Sequence, residues 1–178
     1  SIVTRIFLLL LQTLSGVLTC EGRDGDYNMK QYEQRDARYS DIPHIAKTMC
    51  PMDHNEVYAS SGLTPSMCLY TSLYNSSIAR TATCNDEPLV MYGVVPYGRV
   101  GYIWLMGQNL VPHVRHLLKV LGDELDILCK PFRFVTNYMD TRQTVHRKLI
   151  ERYGFVFDED DVKLFREVNF IRFIRRMD

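Results

Sequence analysis

The sequence has no charge excess. Its 178 residues carry Lys+Arg 21 against Asp+Glu 21, so no whole-chain field points to nucleic acid or to an anionic membrane surface. It also has few cysteines: Cys20, Cys50, Cys68, Cys84 and Cys129. The count is odd and no pair has C-x-x-C spacing, which argues against a zinc site and against a disulfide framework. Reduced, buried thiols in a cytosolic compartment fit best. No internal repeat and no low-complexity tract is visible. Glycine is scarce in one particular turn, Met106 to His113, which holds only Gly107.

What is present is ordinary for a soluble globular chain. Hydrophobic residues make up 46% and charged residues 24%, enough apolar material for a real core at this length. One domain is expected. The cluster Arg166, Arg172, Arg175 and Arg176 reads as a solvated flank of a strand. Asn75-Ser76-Ser77 matches a glycosylation sequon, a short motif that is common by chance.

Residues 1–28 differ from the rest. Ile6 to Leu11 is an almost pure apolar run after Arg5, interrupted by Gln12 and Ser15-Gly16. It is short and broken for a membrane span, and it is similar to the apolar region of a signal peptide, with Cys20 near a cleavage point. Two readings stand side by side, an upstream extension with Met29 as the true start or a genuine leader or anchor, and an uncleaved core helix is the third. The folded domain is expected over 29–178.

From Met29 onward the pattern alternates. Met29 to Arg35 reads as a strand. Ser40 is expected to cap a helix carrying Ile42, Ile45, Ala46 and Met49, ended by Pro51. Thr64-Pro65 starts a second helix. Ile78 to Cys84 and Leu89 to Val95 read as a hairpin around Asn85 to Pro88. Val100 to Leu105 is the next strand, with Trp104 in the core. A long helix is expected from about Asn109 to Leu128, with Val114, Leu117, Leu118, Leu121, Leu125 and Leu128 as its apolar stripe. Phe132 to Val135 is a strand. Asp140 or Thr141 caps a helix that Gly154 ends. Phe155 to Phe157 is a strand, Asp158 to Asp161 an acidic turn, Val162 to Phe165 a short pairing segment, and Val168 to Ile174 closes the sheet. The methionines Met49, Met52, Met67, Met91 and Met106 read as core filler. This order predicts a mixed α/β fold of the α+β kind. A ligand is expected where neighbouring strands splay, at the ends of Val100–Leu105 and Phe132–Asn137.

The order, with Arg35-Asp36-Ala37, Ser40-Asp41-Ile42, Asn137-Tyr138-Met139-Asp140 and the helix closed by Gly154-Phe155, resembles the GNAT fold, the scaffold of acyl-CoA-dependent N-acyltransferases. Trp104-Leu105-Met106-Gly107, the Leu-rich helix and Gly154-Phe155-Val156-Phe157 further resemble the gene-thirteen family of short-tailed phages, small GNAT-like proteins of virion assembly. The resemblance covers roughly Met29 to Arg175. It implies a mostly antiparallel sheet flanked by helices. It also implies acetyl-CoA as the possible cofactor, no metal, and phage structural or assembly proteins as partners. Nucleic acid is not an expected partner, nor is a membrane unless the leader is genuine. The expected location is the host cytoplasm or the virion.

The resemblance places the cofactor at Leu105, Met106, Gly107, Gln108, Asn109 and Asn137. GNAT enzymes hold the CoA pyrophosphate with Gln/Arg-x-x-Gly-x-Gly/Ala, because glycines let backbone N–H groups approach the phosphates. With Gln108 at the first position, Val111 and His113 stand where glycines belong, and Pro112 removes a donor. The proton donor of that fold, a tyrosine four residues before the helix-closing glycine, is replaced by Ile150. Tyr153 is expected to face elsewhere on its helix. Tyr138 and Asp140, at a strand end beside the cleft, are the substitute candidates for catalysis. His113 and His116 are expected as a solvent-facing pair and not as metal ligands, and His146 as a surface or partly buried residue. The leading expectation is therefore a phage assembly protein with a degenerate acyl-CoA site. The alternative is an active N-acetyltransferase acting on an amine.

Overall fold

The structure, a computed structural model, describes residues 30–49, 51–108, 113–142 and 144–177. The apolar leader, Cys50 and Asn109 to Pro112 lie outside the described residues, as does the side chain of His146. The chain begins with β1 (Tyr32–Asp36) and a 3-10 turn at Tyr39–Asp41, then three helices: α1 (Ile42–Thr48), α2 (Pro51–Ser61) and α3 (Pro65–Asn75). The strands β2 (Ile78–Cys84), β3 (Glu87–Tyr97) and β4 (Val100–Gly107) follow as a meander. Next come α4 (Val114–Cys129), β5 (Phe134–Asp140), α5 (Thr144–Arg152), β6 (Val156–Phe165) and β7 (Val168–Arg176).

These strands form one seven-stranded sheet in the order β1-β2-β3-β4-β5-β7-β6. Only β4 and β5 pair in parallel; every other neighbour is antiparallel. The mixed, mostly antiparallel architecture expected from the sequence is what the chain adopts.

The two central strands are buried on both sides, and their period of two divides the core. Met91, Val95, Trp104 and Met106 face α1, α2 and α3 with Ile45, Val57 and Leu69. Val90, Tyr92, Val94, Ile103 and Leu105 face the other way, onto Leu117, Leu121, Leu125 and Leu128 of α4. The Trp104 Nε1–H donates to the Ser76 hydroxyl at 2.8 Å, so the indole is core with its one polar atom satisfied.

Turn chemistry sets the hairpins. Asn85 and Asp86 adopt φ of 50° and 66°, which joins β2 to β3 by a two-residue turn. Arg166 and Glu167 do the same between β6 and β7, at φ of 43° and 69°. Gly154 ends α5 at φ 81°, a conformation that favours glycine.

Several expectations are corrected. Pro51 does not end a helix; it opens α2, an element the periodicity did not reveal. Ser40 lies in the 3-10 turn and Asp41 stands at the N-cap of α1. The Asp41 carboxylate is engaged elsewhere, accepting from Arg35 at 2.7 and 2.8 Å, from the Thr81 hydroxyl at 2.8 Å and from the Arg38 N–H at 3.0 Å. Asp158 to Asp161 is not a turn between two strands. It is an irregularity inside β6, where the pairing with β7 jumps from Asp158 to Val162. β7 does not close the sheet, because it inserts between β5 and β6. Met67 is 55% exposed and is not core filler, unlike Met49, Met91 and Met106. Cys68, Cys84 and Cys129 are free and buried. No described helix is long and apolar enough to cross a membrane.

Candidate functional site: a fork between two parallel strands

The parallel register of β4 and β5 holds over only three pairs: Val100 with Phe134, Gly101 with Val135, and Tyr102 with Thr136. Beyond them each strand keeps its outer partner. Ile103 to Gly107 stay paired with β3, and Asn137 to Asp140 stay paired with β7. The pull on β5 is reinforced at the fork itself. The Thr136 hydroxyl donates to the Phe173 carbonyl at 2.7 Å and accepts from Arg172 Nε at 3.2 Å. Two facing backbone edges therefore separate with no strand between them.

Asn137 bridges the start of this fork. Its Nδ2 donates to the Ile103 carbonyl at 2.6 Å, and its Oδ1 accepts the Tyr138 N–H at 2.8 Å. The residue is 1% exposed. A buried side-chain amide thus replaces the backbone rung that would otherwise be missing, which keeps polar groups satisfied where the sheet opens.

The turn after β4 is held close to β3. Leu105 and Met106 are buried in opposite cores. A Cβ at Gly107 would stand 2.7 Å from the Leu89 carbonyl oxygen and 2.9 Å from the Val90 Cβ. Glycine is needed there for the close pass over β3. The Gln108 N–H donates to the same Leu89 carbonyl at 3.0 Å, so this amide is already used. Asn109 lies outside the described residues.

At the start of α4, His113 and His116 are half-buried against β1 and do not form a solvent-facing pair. The Tyr32 hydroxyl and His113 Nδ1 are 2.9 Å apart, and His116 stacks on the Tyr32 ring at 4.0 Å between centroids. Burial holds the His113 imidazole below its ordinary pKa, and Lys30 and His116 add to the shift. Both rings brace the first strand against the helix. Among the described residues, no group of three His, Cys, Asp or Glu side chains could hold a metal ion.

Tyr138 is buried, and its hydroxyl donates to Asp161 at 2.8 Å while accepting from Lys163. Burial raises its pKa, the Asp161 charge adds to the rise, and Lys163 opposes it. Asp140 ends β5 at 1% exposure. Its carboxylate is gripped by Arg142 through Nε at 3.0 Å and Nη2 at 2.5 Å, and it also accepts the Arg142 N–H at 2.9 Å. Ile150 is 4% exposed and packs in the core beneath α4. Tyr153 faces another direction, its hydroxyl donating to the Leu118 carbonyl at 2.7 Å.

Sequence reasoning passed over two acids near this end of the sheet, Asp53 and Glu56 on α2. They are 4% and 6% exposed. Burial pushes the Glu56 carboxyl up to about 9, with Asp140 and Asp53 adding to the rise and Arg142 opposing it. Both Glu56 carboxylate oxygens are buried without a hydrogen-bond partner. The signal was available in part: positions 53, 56, 57 and 60 have helical spacing, and among the described side chains they form the buried stripe of α2 with Val57 as its one apolar member.

Comparison of the sequence with family profiles and with curated proteins gives no match. The structure does match solved proteins. Ard1 from Thermoplasma volcanium superimposes with a TM-score of 0.65 at 14% identity, covering 83% of this chain and 98% of that one. The ribosomal-protein-S18-alanine N-acetyltransferase from Escherichia coli gives 0.60 at 12% identity over 83% and 95%. A Bacillus subtilis acetyltransferase, solved in complex with CoA, gives 0.56 at 10% identity over 84% and 99%. The chain has the GNAT acetyltransferase fold. Nothing in these comparisons links it to the gene-thirteen family of short-tailed phages.

Proposed function

We propose that this chain is an N-acyltransferase that moves an acetyl group from acetyl-CoA to an amine. The observation that carries the proposal is the fork between β4 and β5, bridged at its start by the Asn137 amide. The two diverging backbone edges are suited to an extended ligand that carries amides, because each edge offers N–H and C=O groups to such a chain. Acetyl-CoA would supply a thioester-activated acetyl group at the fork.

The residues fit that ligand in part. Ile103 to Met106 and Tyr138 to Asp140 would line its path. The pyrophosphate end is less well provided, since the Gln108 N–H is spent on Leu89 and Gly107 is pressed onto β3. The start of α4 would supply the remaining N–H groups.

Two features bear on proton transfer. Ile150 cannot donate and lies in the core. Tyr138 keeps its proton at neutral pH because burial raises its pKa, and Lys163 and Asp161 orient the hydroxyl. Tyr138 is therefore the better donor for the departing thiolate. A free thiol titrates near pH ~8.5, so its thiolate is a tolerable leaving group even with weak assistance.

A second reading is a GNAT-fold assembly protein with reduced catalysis, working through contacts with phage structural proteins. Ile150 and the committed Gln108 amide favour reduced catalysis; no observation favours the phage partner. The distinguishing experiment is a thiol-release assay with acetyl-CoA and a panel of amines. Release that depends on the amine, and that falls at least about tenfold in Tyr138→Phe, supports the enzyme. No release with any amine supports the second reading.

A further inference from the structure

The inner stripe of α2 is unusual for a helix packed on a core. Asp53, Glu56 and Ser60 are buried along it, and among the described side chains Val57 is its one apolar residue. Ser60 is satisfied locally, its hydroxyl donating to the Val57 carbonyl at 3.1 Å. Glu56 is not satisfied: it is 6% exposed and both of its carboxylate oxygens are buried without a partner. A buried carboxyl with nothing to bind is costly for the fold. Such groups persist where a ligand completes them.

The surroundings identify the ligand's charge. The Asp53 and Asp140 charges both act on Glu56, and Arg142 is the cation that offsets them. Arg142 is held by Asp140 but enters from the solvent side. Its side chain is 72% exposed, while its partner Asp140 is 2% exposed. Glu56 and Asp140 thus share one arginine whose side chain reaches in from solvent, and Asp53 acts on Glu56 from the same helix. The guanidinium is flat, cationic and rich in donors, so it marks where a ligand cation would sit.

A nitrogen held against carboxylates stays protonated and cannot attack a carbonyl. The acidic seat therefore suits a cation that does not react, on a molecule whose other nitrogen does. We propose that Asp53, Glu56 and Asp140 form the seat for a second, non-reacting cationic group of the acceptor, which Arg142 vacates when the acceptor binds. The acceptor is then a diamine or an amino-guanidine compound, not a simple monoamine. The proposal rests on reading the β4–β5 fork as an acyl-transfer site.

Calorimetric titration of the full chain with the diamine putrescine and with butylamine, each with and without CoA, tests it. Putrescine is expected to bind at least about tenfold tighter than butylamine. Glu56→Gln should abolish that preference while leaving acetyl-CoA affinity unchanged. Arg142→Ala, at an exposed position, should strengthen putrescine binding by opening the seat. Equal affinity for the two amines, failure of both to bind, or a preference that survives Glu56→Gln would overturn the proposal. Putrescine selectivity without any acetyl-CoA binding would keep the seat and reject the acyl-transfer reading, so the two fail separately.

Discussion

Asn137 donates its side-chain N–H to the Ile103 carbonyl across the point where β4 and β5 part, at 2.6 Å. One buried amide therefore fixes both the depth of the fork and the direction of the strand beyond it, because its Oδ1 also accepts the Tyr138 N–H. Asn137→Ala should leave the Ile103 carbonyl and the Tyr138 N–H without these partners. The expected cost is about 1–3 kcal/mol in urea unfolding, together with weaker acetyl-CoA binding by calorimetry. Full retention of both would show that the bridge is dispensable.

Glu56 gives the fold a particular pH dependence. Its pKa rises from 4.5 in the unfolded reference to about 9 in the fold. Above about pH 4.5 the unfolded chain has lost this proton while the folded chain keeps it, so stability from this group declines as pH rises toward about 9. Asp53, Asp140 and Arg142 act on Glu56 and modulate the decline. Glu56→Leu should flatten the curve and raise stability by about 1 kcal/mol or more at alkaline pH. Thermal unfolding from mildly acidic to alkaline pH reads both effects. An unchanged slope would mean that Glu56 ionises as freely in the fold as in water.

Gly107 is a packing glycine. Adding a Cβ brings it 2.7 Å from the Leu89 carbonyl, so Gly107→Ala should cost about 1–3 kcal/mol by forcing β4 away from β3. The shift would be visible in amide protection of Val90 and Gln108. Unaltered stability would show that the strand edge yields easily.

Tyr153 ties α5 to α4 through the Leu118 carbonyl. Tyr153→Phe should cost about 1 kcal/mol of stability and leave the acyl-transfer rate per folded molecule unchanged. A large loss of rate with stability intact would instead make Tyr153 a participant in the chemistry. Ile150→Tyr should not raise the rate, because position 150 points into the core beneath α4.

Much of this fold was legible where local rules and tertiary packing agree. Thr64 caps α3 by accepting the Met67 N–H, and Asn85-Asp86 turns the hairpin. Leu117, Leu121, Leu125 and Leu128 of α4 bury as one stripe, whereas Leu118, expected in it, is only half-buried. The splay between β4 and β5 was expected from strand order alone. The failures have physical causes. Helix α2 was missed because its buried stripe is polar, so a search for apolar periodicity passes over it. The acidic run Asp158 to Asp161 looked like a turn, yet β7 carries β6 past it by a local register jump. His113 and His116 looked exposed because their partner, Tyr32, lies far away in sequence on β1. The Glu56 site combines two elements distant in sequence, so the helical spacing of Asp53, Glu56 and Ser60 could not by itself place Asp140 beside it.

The central claim is that the fork binds an acyl-CoA. Calorimetric titration of the full chain with acetyl-CoA tests it most directly. Saturable one-to-one binding that CoA competes away, and that weakens in Asn137→Ala, is the predicted result. The absence of binding at millimolar acetyl-CoA, with the chain folded by circular dichroism, would contradict it.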